Sequence, residues 1–307
     1  MDEDEFRKQF MRKSIFRQAS SLDLSYVPEK MFCRDDILKT LIFNFRRILE
    51  EEEQPSINCL ILGKGGVGKT CIARFFGRQF RTIALENDVK IFIEYFNCIT
   101  FRSKSKIIRE LLAKYQHGSG RGFSDDEALK LILSQLIREK GYMLLIIDEI
   151  HLLKPEDVLA FLDIAETFGH QNAKLSLLLI SRNKDWMRVE NERILSRLNE
   201  KIILEPYNFD ESMQILEYRS ELALKENVID EELLTIISQI VVDHKNMRHG
   251  IEIIRKSGLY CDKEGLDSMT ADIVREASNE VYPTFRGDII DKLKDQELIA
   301  LFGITNH

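Results

Sequence analysis

A glycine-rich turn between an apolar run and a helical segment is the stretch whose residue types and spacing most clearly indicate chemistry. Residues 60–70 read LILGKGGVGKT and are followed by the helical CIARFFGRQF, so that 63–70 fit the pattern GxxxxGKT. In this context the glycines let backbone N–H groups point at phosphate oxygens, and the helix N-terminus adds a favourable dipole. Lys69 would neutralise the β- and γ-phosphates, and the Thr70 hydroxyl would bind Mg²⁺. The turn therefore predicts a site for ATP or ADP with Mg²⁺, formed by Gly63, Lys64, Gly65, Gly66, Val67, Gly68, Lys69, Thr70 and Cys71.

An acidic pair after a second apolar run supplies the other half of the predicted site. In YMLLIIDEIHLL, residues 142–153, apolar residues bring Asp148 to the carboxyl end of a buried strand, the edge at which open α/β sheets bind ligands. We expect Asp148 to hold Mg²⁺ through water and Glu149 to orient and polarise the water that attacks the nucleotide. The alternative is that the two carboxylates cap the following helix. Their occurrence together with a phosphate loop favours a metal-nucleotide site and an ATPase.

Short apolar runs separated by segments of helical spacing indicate a parallel sheet covered on both faces. The five runs are INCLILG, KIFIEYFNC, YMLLIIDEI, LSLLLIS and KIILEPY. Before the first run, an amphipathic helix carries one apolar stripe of Ile37, Leu41, Phe45 and Ile48. After Pro206 the strand signals stop and the pattern is helical to the end, which predicts a domain boundary near residue 206.

Composition limits the class of protein. With 307 residues, of which 44% are hydrophobic and 31% charged, the chain can bury a sizeable core in about two domains. No stretch approaches the roughly 18 to 20 apolar residues of a membrane helix, and the N-terminus lacks the apolar centre of a signal peptide, so we expect a soluble cytoplasmic protein without a membrane partner. A net charge of -7 argues against indiscriminate coating of nucleic acid. The five cysteines form no CxxC pair and indicate neither a disulfide framework nor a zinc site.

Further arginines resemble those of the AAA+ class of P-loop NTPases. In AAA+ proteins an arginine just before the last strand reaches the nucleotide of the neighbouring subunit, and Arg197, in the segment SRL, is identified for this role with Arg193 as second choice. Arg248, at the start of a helix in the second domain, resembles the sensor arginine that contacts the γ-phosphate from the lid. A guanidinium offers a rigid charged fork for phosphate. For each position the alternative is a surface arginine paired with a nearby carboxylate.

The order of the segments resembles one family, the archaeal origin-recognition and cell-division-control initiators, which are AAA+ proteins that mark replication origins and help to load the helicase. The segments that carry the resemblance are YVPEKMFCRDDIL, YFNCITFRSKSKIIREL, GRGFSDDEALKLI, IIDEIHLL, ILSRLNEKIILEPYNFDESMQILEYR, MRHGIEIIRKSG, MTADIVREA and DIIDKLKDQELIAL. The resemblance implies an α/β AAA+ P-loop NTPase with a five-stranded parallel sheet, followed by an all-α helical lid domain. It also assigns Arg34, which matches an arginine lying near the adenine, and Tyr207 to the nucleotide site.

The resemblance divides the chain into four parts. These are an N-terminal charged segment at 1–20, the nucleotide-binding α/β domain at 21–206, the helical lid at 207–285 and a C-terminal helix at 286–307. Proteins of this family normally continue into a winged-helix domain that reads the origin duplex, whereas this sequence ends at His307. A truncated chain and a protein that works without that domain are both left open.

The resemblance also implies partners. A basic helical element after the second strand touches DNA in the family, and here it contains Arg102, Lys104, Lys106 and Arg109. A solvated helix face is the alternative interpretation of this charge. The implied partners are duplex origin DNA, the replicative helicase and a second copy of the chain contacted through Arg197. The implied protein is a slow, nucleoid-associated ATPase used as a switch.

Two residues depart from the family pattern. The first sensor is expected just after the fourth strand, where Arg182 takes the aligned place and Asn183 is displaced by one residue; we prefer Asn183 as the catalytic residue. His151 stands where an acidic residue is usual, a change that resembles some transposition ATPases, although a supporting or surface histidine is the preferred interpretation. A transposition-type AAA+ regulator and a signalling NTPase that acts on protein partners are the alternative functions.

Overall fold

The chain divides into two compact units. The computed structural model describes residues 2, 5–7, 11, 13–50, 55–115, 122–169 and 174–281. One unit is Val27–Pro206, and the other combines Met1–Tyr26 with Tyr207–His307. The division after Pro206 coincides with the predicted change from mixed to helical structure. The expected C-terminal helix at 286–307 lies outside the described residues.

A parallel sheet forms the centre of the first unit. Its strands are β1 (Asn58–Gly63), β2 (Lys90–Asn97), β3 (Gly141–Asp148), β4 (Leu175–Ser181) and β5 (Glu200–Leu204). They lie in the order β2-β3-β4-β1-β5, and every neighbouring pair is parallel. The prediction of a five-stranded parallel sheet is therefore confirmed. Because all strands run the same way, their carboxyl ends meet at one edge.

The apolar residues of each inner strand divide between the two faces of the sheet. On β3, Met143, Leu145 and Ile147 join the core on one side, whereas Tyr142, Leu144 and Ile146 join the core on the other. Side chains of a strand alternate between faces, so a strand covered on both sides must be apolar throughout. This is why the central strands are continuous apolar runs and not alternating patterns.

Helices cover both faces of this sheet. They are α1 (Asp35–Phe45), α2 (Arg47–Glu50), α3 (Lys69–Glu86), α4 (Lys104–Tyr115), α5 (Asp125–Arg138), α6 (Pro155–Leu162), α7 (Ile164–Phe168), α8 (Asn183–Trp186) and α9 (Glu192–Leu195). A short 3₁₀ helix, Ile150–Leu152, follows β3. The predicted first helix is interrupted at Arg46 and so forms α1 and α2, while Leu41, Phe45 and Ile48 of its stripe are buried as expected.

The second unit is helical. Its helices are α10 (Phe209–Ala223), α11 (Glu231–His244), α12 (Met247–Glu264) and α13 (Ala271–Val281), with a 3₁₀ helix at Ala19–Leu22. Asn208 and Glu211 form a capping box at the start of α10, and Asp230 and Asn246 cap α11 and α12. Such caps satisfy N–H groups that a helix leaves unpaired at its first turn. The predicted all-α second domain is confirmed over these residues.

Residues 21–26 belong to the helical unit, although the resemblance placed them in the nucleotide-binding domain. The guanidinium of Arg219, on α10, donates to the carbonyl oxygens of Ser21 at 2.5 Å and Asp23 at 3.1 Å. The same guanidinium lies 4.8 Å from the centre of the Tyr26 ring. Arg219 is itself only 5% exposed, so these contacts satisfy a buried charge. The boundary therefore falls after Tyr26 and not after Ser20.

No helix in the part of the chain that the structure describes is both long and apolar enough to cross a membrane.

Candidate functional site

The phosphate loop connects the end of β1 to the start of α3. Gly66 and Gly68 have φ values of 76° and 91°, in the left-handed region that favours glycine. At Gly63 a Cβ atom would lie 2.8 Å from the carbonyl oxygen of Leu204 and 2.9 Å from Cγ2 of Val67. The glycine spacing of the loop thus follows from its backbone conformation and from close packing against the end of β5.

Lys69, the first residue of α3, is held inside the loop. Its Nζ donates to the carbonyl oxygens of Gly63 at 3.0 Å and Lys64 at 2.6 Å, and the residue is 7% exposed. A buried ammonium needs polar partners of this kind. The contacts place a positive charge at the turn where the helix dipole also favours an anion.

The structure brings Thr70 and Asp148 together from different elements. The Thr70 hydroxyl donates to Oδ2 of Asp148 at 2.6 Å, and Asp148 is only 3% exposed. Thr70 lies in the first turn of α3 and Asp148 ends β3, so both stand at the carboxyl edge of the sheet. A carboxylate and a hydroxyl are the oxygen ligands that Mg²⁺ prefers. The donor set therefore fits the predicted metal.

Tyr95 is a third member of this group, and the sequence pattern does not point to it. Its hydroxyl donates to Oδ2 of Asp148 at 2.9 Å, and the guanidinium of Arg74 lies 5.1 Å from its ring centre. Burial, and then the charge of Asp148, raise the pKa of Tyr95 well above its usual value, so the hydroxyl remains a donor. Tyr95 was recognisable only once β2 was known to lie beside β3. That pairing sets Asn97 opposite Asp148, and Tyr95, two residues before Asn97, lies on the same face of β2.

Glu149 has an unusual backbone. Its φ is 54° and its ψ is 40°, the left-handed region, which costs a residue with a Cβ atom about 1–3 kcal/mol. Its N–H donates to Oδ1 of the preceding Asp148 at 2.8 Å. The two acidic side chains consequently diverge: Asp148 faces Thr70 and Tyr95, whereas Glu149 faces the residues after β4.

Those residues include Arg182, the alternative to Asn183 as first sensor. Nε of Arg182 lies 2.8 Å from Oδ2 of Asp185 and 3.8 Å from Oε2 of Glu149. Asn183, at the start of α8, is exposed. Of the two, the structure therefore brings Arg182 to Glu149, while the sensor role itself stays a prediction.

His151 is buried beside Glu149 and is not a surface histidine. Its side chain is 5% exposed, and Nε2 lies 3.4 Å from Oε2 of Glu149 and 3.7 Å from Oδ2 of Asp185. Nδ1 lies 3.0 Å from the Ser181 hydroxyl at the end of β4. Burial lowers the pKa of His151, although the carboxylates of Glu149 and Asp185 act in the opposite direction.

Arg34, which the resemblance assigned to the adenine, contacts the phosphate loop. Its Nη2 donates to the carbonyl oxygen of Glu205 at 2.7 Å and to that of Val67 at 3.3 Å, and the residue is buried. Arg34 thus connects the phosphate loop and the segment that follows β5 through hydrogen bonds. Tyr207 and Arg248 lie in the helical unit, where Tyr207 is buried and Arg248 is exposed in the first turn of α12. Their roles toward a nucleotide stay predictions.

Arg197 is bound within its own chain. Nε lies 2.6 Å from Oδ1 of Asp163 and Nη2 lies 2.5 Å from Oε2 of Glu166. This is the paired arginine that the sequence left as an alternative. Arg193, the second choice, is exposed on α9, and its guanidinium forms no ion pair within the described residues. Contact with a neighbouring subunit stays a prediction for both.

The four basic residues proposed for DNA lie just before α4 or in its first half. Arg102, Lys106 and Arg109 are exposed, which suits contact with a phosphate backbone. Lys104 is half-buried, with Nζ 3.9 Å from Oδ2 of Asp125. We call the three exposed bases, Arg102, Lys106 and Arg109, the α4 basic surface.

Each of the two units contains a match to a known domain family. Residues 53–184 match the AAA domain, and residues 213–279 match the Cdc6 AAA+ ATPase-type lid domain. The first match includes the phosphate loop, Asp148 and Glu149; the second covers most of α10 to α13 and includes Arg248.

Curated relatives match along nearly the whole chain. ORC1-type DNA replication protein 1 of Methanosarcina mazei is 25% identical over 304 residues, which are 97% of this chain and 73% of that protein. ORC1-type DNA replication protein 2 of Saccharolobus solfataricus is 28% identical over 298 residues, 94% of this chain and 72% of that protein.

Solved structures share the fold. The Aeropyrum pernix ORC2 protein, solved as ADPNP-ADP complexes, has a TM-score of 0.81 at 23% identity and covers 92% of this chain and 76% of its own. The Aeropyrum pernix ORC1 protein in complex with DNA has a TM-score of 0.76 at 20% identity, with coverages of 96% and 77%. The chain thus combines matches to an AAA domain and to a Cdc6 AAA+ ATPase-type lid domain, and along nearly its whole length it is similar to archaeal ORC1-type DNA replication proteins.

Proposed function

We propose that the protein is an ATP-binding and slowly ATP-hydrolysing replication initiator that grips duplex DNA at origins and helps to recruit the replicative helicase. The observation that carries the proposal is the 2.6 Å contact of Thr70 with Asp148, which joins the phosphate loop to the acidic pair at one edge of the sheet. In a chain that also contains a Cdc6-type lid, this edge supports a nucleotide switch.

The residues of the site divide the chemistry among them. Lys69 and the loop N–H groups bind the phosphates, and Thr70 with Asp148 would hold Mg²⁺. When bound, Mg²⁺ neutralises charge on the β- and γ-phosphate oxygens. Glu149 accepts a hydrogen bond from the attacking water and so raises its nucleophilicity. Its left-handed backbone, which turns it away from Asp148, supports this separation of tasks.

The proposed DNA contact is supported by the α4 basic surface and by the relatives. An exposed cluster of bases neutralises phosphates without reading sequence, so it supplies affinity and not origin preference. The Aeropyrum pernix ORC1 structure in complex with DNA supports the same partner. The names of the relatives, ORC1-type DNA replication proteins, support a role in DNA replication, and origin preference and helicase recruitment are the further steps of the proposal.

A switch function predicts slow turnover, because bound ATP must persist while the DNA is held. We expect the wild-type protein to hydrolyse ATP more slowly than about 1 per second, at the low end of enzymes generally. Glu149→Gln should bind ATP as tightly as the wild type and lose about a hundredfold or more of the turnover. Lys69→Ala should instead lose ATP binding.

The test is to measure phosphate release and the ATP dissociation constant for these three proteins. Wild-type turnover by Glu149→Gln would contradict the role of Glu149. Unchanged ATP affinity of Lys69→Ala would contradict the assignment of the loop.

A further inference from the structure

Four charged or titratable side chains form a group around the residue expected to activate water. We call Glu149, His151, Arg182 and Asp185 the Glu149 cluster. Arg182 is closer to Asp185, at 2.8 Å, than to Glu149, at 3.8 Å, and it is half exposed. His151 is the buried member, and its ring lies against both carboxylates, at 3.4 Å from Glu149 and 3.7 Å from Asp185.

Two atoms at the centre of this cluster are buried and face one another. Oε2 of Glu149 and Nε2 of His151 are each buried and have no hydrogen-bond partner within the described residues. An unsatisfied buried carboxylate oxygen is costly, and so is an unsatisfied ring nitrogen. Their separation of 3.4 Å is slightly more than the 2.7–3.2 Å of an ordinary N–H···O bond. Hydrogen bonds at reaction centres are often long before the nucleotide binds and tighten afterwards.

The other ring nitrogen faces the end of β4. Nδ1 lies 3.0 Å from the Ser181 hydroxyl, and that hydroxyl also lies 3.2 Å from the carbonyl oxygen of Arg182, so its single proton is donated to one of these two acceptors. Two carboxylates face Nε2, and a carboxylate can only accept. The two carboxylates therefore favour a proton on Nε2, directed at Glu149, both in a neutral ring whose Nδ1 accepts from Ser181 and in a charged ring whose Nδ1 donates to it. Burial lowers the pKa of His151 and so favours the neutral ring, whereas the charges of Glu149 and Asp185 act in the opposite direction.

We propose that His151 is a positioning residue for Glu149: Nε2–H holds the carboxylate of Glu149 in the orientation that activates water, and Ser181 at the end of β4 holds the ring. This inference rests on the proposed function, because it assigns His151 a task in the reaction of that site. Asp185, whose Oδ2 lies 3.7 Å from the same Nε2, also binds Arg182, so that the carboxylate of Glu149 does not have to neutralise Arg182 alone.

The backbone of Glu149 explains why such a support is needed. A left-handed residue directly after a strand is not held by the sheet, and its long side chain has several rotamers. Activation of water depends on orientation, and a misplacement of about 1 Å can cost about a hundredfold in rate. A buried imidazole hydrogen-bonded to the end of β4 restricts the rotation of the Glu149 carboxylate.

Two amide variants separate the positioning role from a merely structural one. The amide nitrogen of glutamine can take the place of Nε2, whereas that of asparagine takes the place of Nδ1. His151→Gln should therefore keep the contact with Glu149, and His151→Asn should keep the contact with Ser181 and lose that with Glu149. We expect His151→Asn to lower kcat about tenfold or more with an ATP dissociation constant within about twofold of wild type, and His151→Gln to retain most of kcat.

The opposite ranking, in which the asparagine variant is active and the glutamine variant is not, would overturn the proposal, and so would equal activity of both variants and wild type. Thermal denaturation of both variants shows whether either one fails to fold. If both fail, Ser181→Ala, which releases only the far side of the ring, should lower kcat without changing ATP affinity, and an unchanged kcat would then refute the proposal.

Glu149→Gln in the same series distinguishes failure of the proposed function from failure of the positioning role of His151. If Glu149→Gln hydrolyses ATP like the wild type, the proposed function fails irrespective of His151. If Glu149→Gln is inactive and the two His151 variants match the wild type, only the positioning role fails. In the Glu149→Gln background, His151→Asn should lower the residual rate by less than twofold, because the group that it positions is already lost.

Discussion

At the scale of single residues, Asp148 organises the site. One oxygen, Oδ2, accepts hydrogen bonds from Thr70 and Tyr95, and the other accepts the N–H of Glu149. Because Asp148 is only 3% exposed, these three hydrogen bonds satisfy its carboxylate and fix its orientation toward the start of α3.

Some of these residues could be predicted from sequence and others could not. Thr70 and Asp148 follow from local rules, because a helix start after a glycine loop and the end of a parallel strand have known positions in an α/β fold. Tyr95 depends on which strand lies beside β3, and Arg182 depends on the path of the chain after β4. For His151 the sequence left a supporting and a surface position open, because burial depends on tertiary packing.

The Tyr95 contact should contribute to metal-dependent nucleotide binding. Tyr95→Phe removes one donor to Asp148 and should lower the free energy of unfolding by about 1 kcal/mol while weakening Mg²⁺-dependent ATP binding. The matched control is Tyr115→Phe, which removes the hydroxyl that donates to Glu94 at 2.9 Å, away from the site. Chemical denaturation and ATP titration with and without Mg²⁺ measure both effects. Equal Mg²⁺ dependence in the two variants would contradict a role of Tyr95 in the site.

A histidine in the helical unit should make stability depend on pH. Asn246 caps α12 through the N–H of Arg248 and lies, through its side-chain amide, 2.8 Å from Nε2 of His249. Burial, followed by the charges of His244 and Arg248, lowers the pKa of His249 from 6.5 to about 4. Between these values the unfolded chain binds more protons than the folded one, so stability is full above about pH 6.5 and falls toward pH 4.

Urea denaturation at several pH values tests this sign. Loss of stability between pH 6.5 and pH 4 should be smaller in His249→Gln, which has no titrating ring there. His244→Gln, which replaces the neighbouring histidine, is the control and should retain most of the loss. A steeper loss in His249→Gln than in wild type would show that the sign is wrong.

At the scale of elements, the phosphate loop lies where the ends of β1 and β5 meet the start of α3. Gly63 ends β1 against Leu204 of β5, and the loop then turns through two left-handed glycines into α3. The three inner strands were predictable because a strand covered on both faces must be an apolar run, and the two edge strands, β2 and β5, were predictable from their short runs of Ile, Phe and Leu. Their order was not predictable, because the same runs fit several orders. The break between α1 and α2 and the grouping of residues 21–26 with the helical unit also depend on tertiary contacts.

The packing at Gly63 predicts a large cost for a single methyl group. Gly63→Ala places a Cβ atom within 2.9 Å of both Leu204 and Val67 and should destabilise the protein by about 1–3 kcal/mol. Gly65→Ala is the matched control, since a Cβ atom there has nothing within 4 Å, and its free energy of unfolding should change by less than about 0.5 kcal/mol. Chemical denaturation compares the two variants, and equal effects would contradict the packing.

At the scale of the whole molecule, one chain supplies two kinds of compact unit. The α/β unit contains the phosphate loop, the Glu149 cluster and the α4 basic surface, and the helical unit contains Arg248 and the segment up to Tyr26. An acidic protein of net charge -7 binds DNA only through a local concentration of bases. The α4 basic surface is the place that we expect to provide it.

Neutralising the α4 basic surface should weaken DNA binding without affecting the nucleotide site. Replacing Arg102, Lys106 and Arg109 by alanine should lower duplex affinity by about tenfold and reduce the dependence of log K on log salt by about 2 to 3. The control replaces Lys39, Arg46 and Arg275, three other exposed bases, and removes the same charge. Equal losses in both triple variants would assign the effect to net charge and contradict a local DNA surface.

The most direct test of nucleotide-controlled DNA binding is the affinity of the Glu149→Gln protein for duplex DNA. The affinity is measured by fluorescence anisotropy at one salt concentration, first with ATP and then with ADP, each with Mg²⁺. This variant keeps ATP intact during the measurement. We predict at least about fivefold tighter binding with ATP, the lower end of coupling between two sites, and no difference between nucleotides for Lys69→Ala. Equal affinity of Glu149→Gln for DNA with ATP and with ADP would contradict the proposed switch.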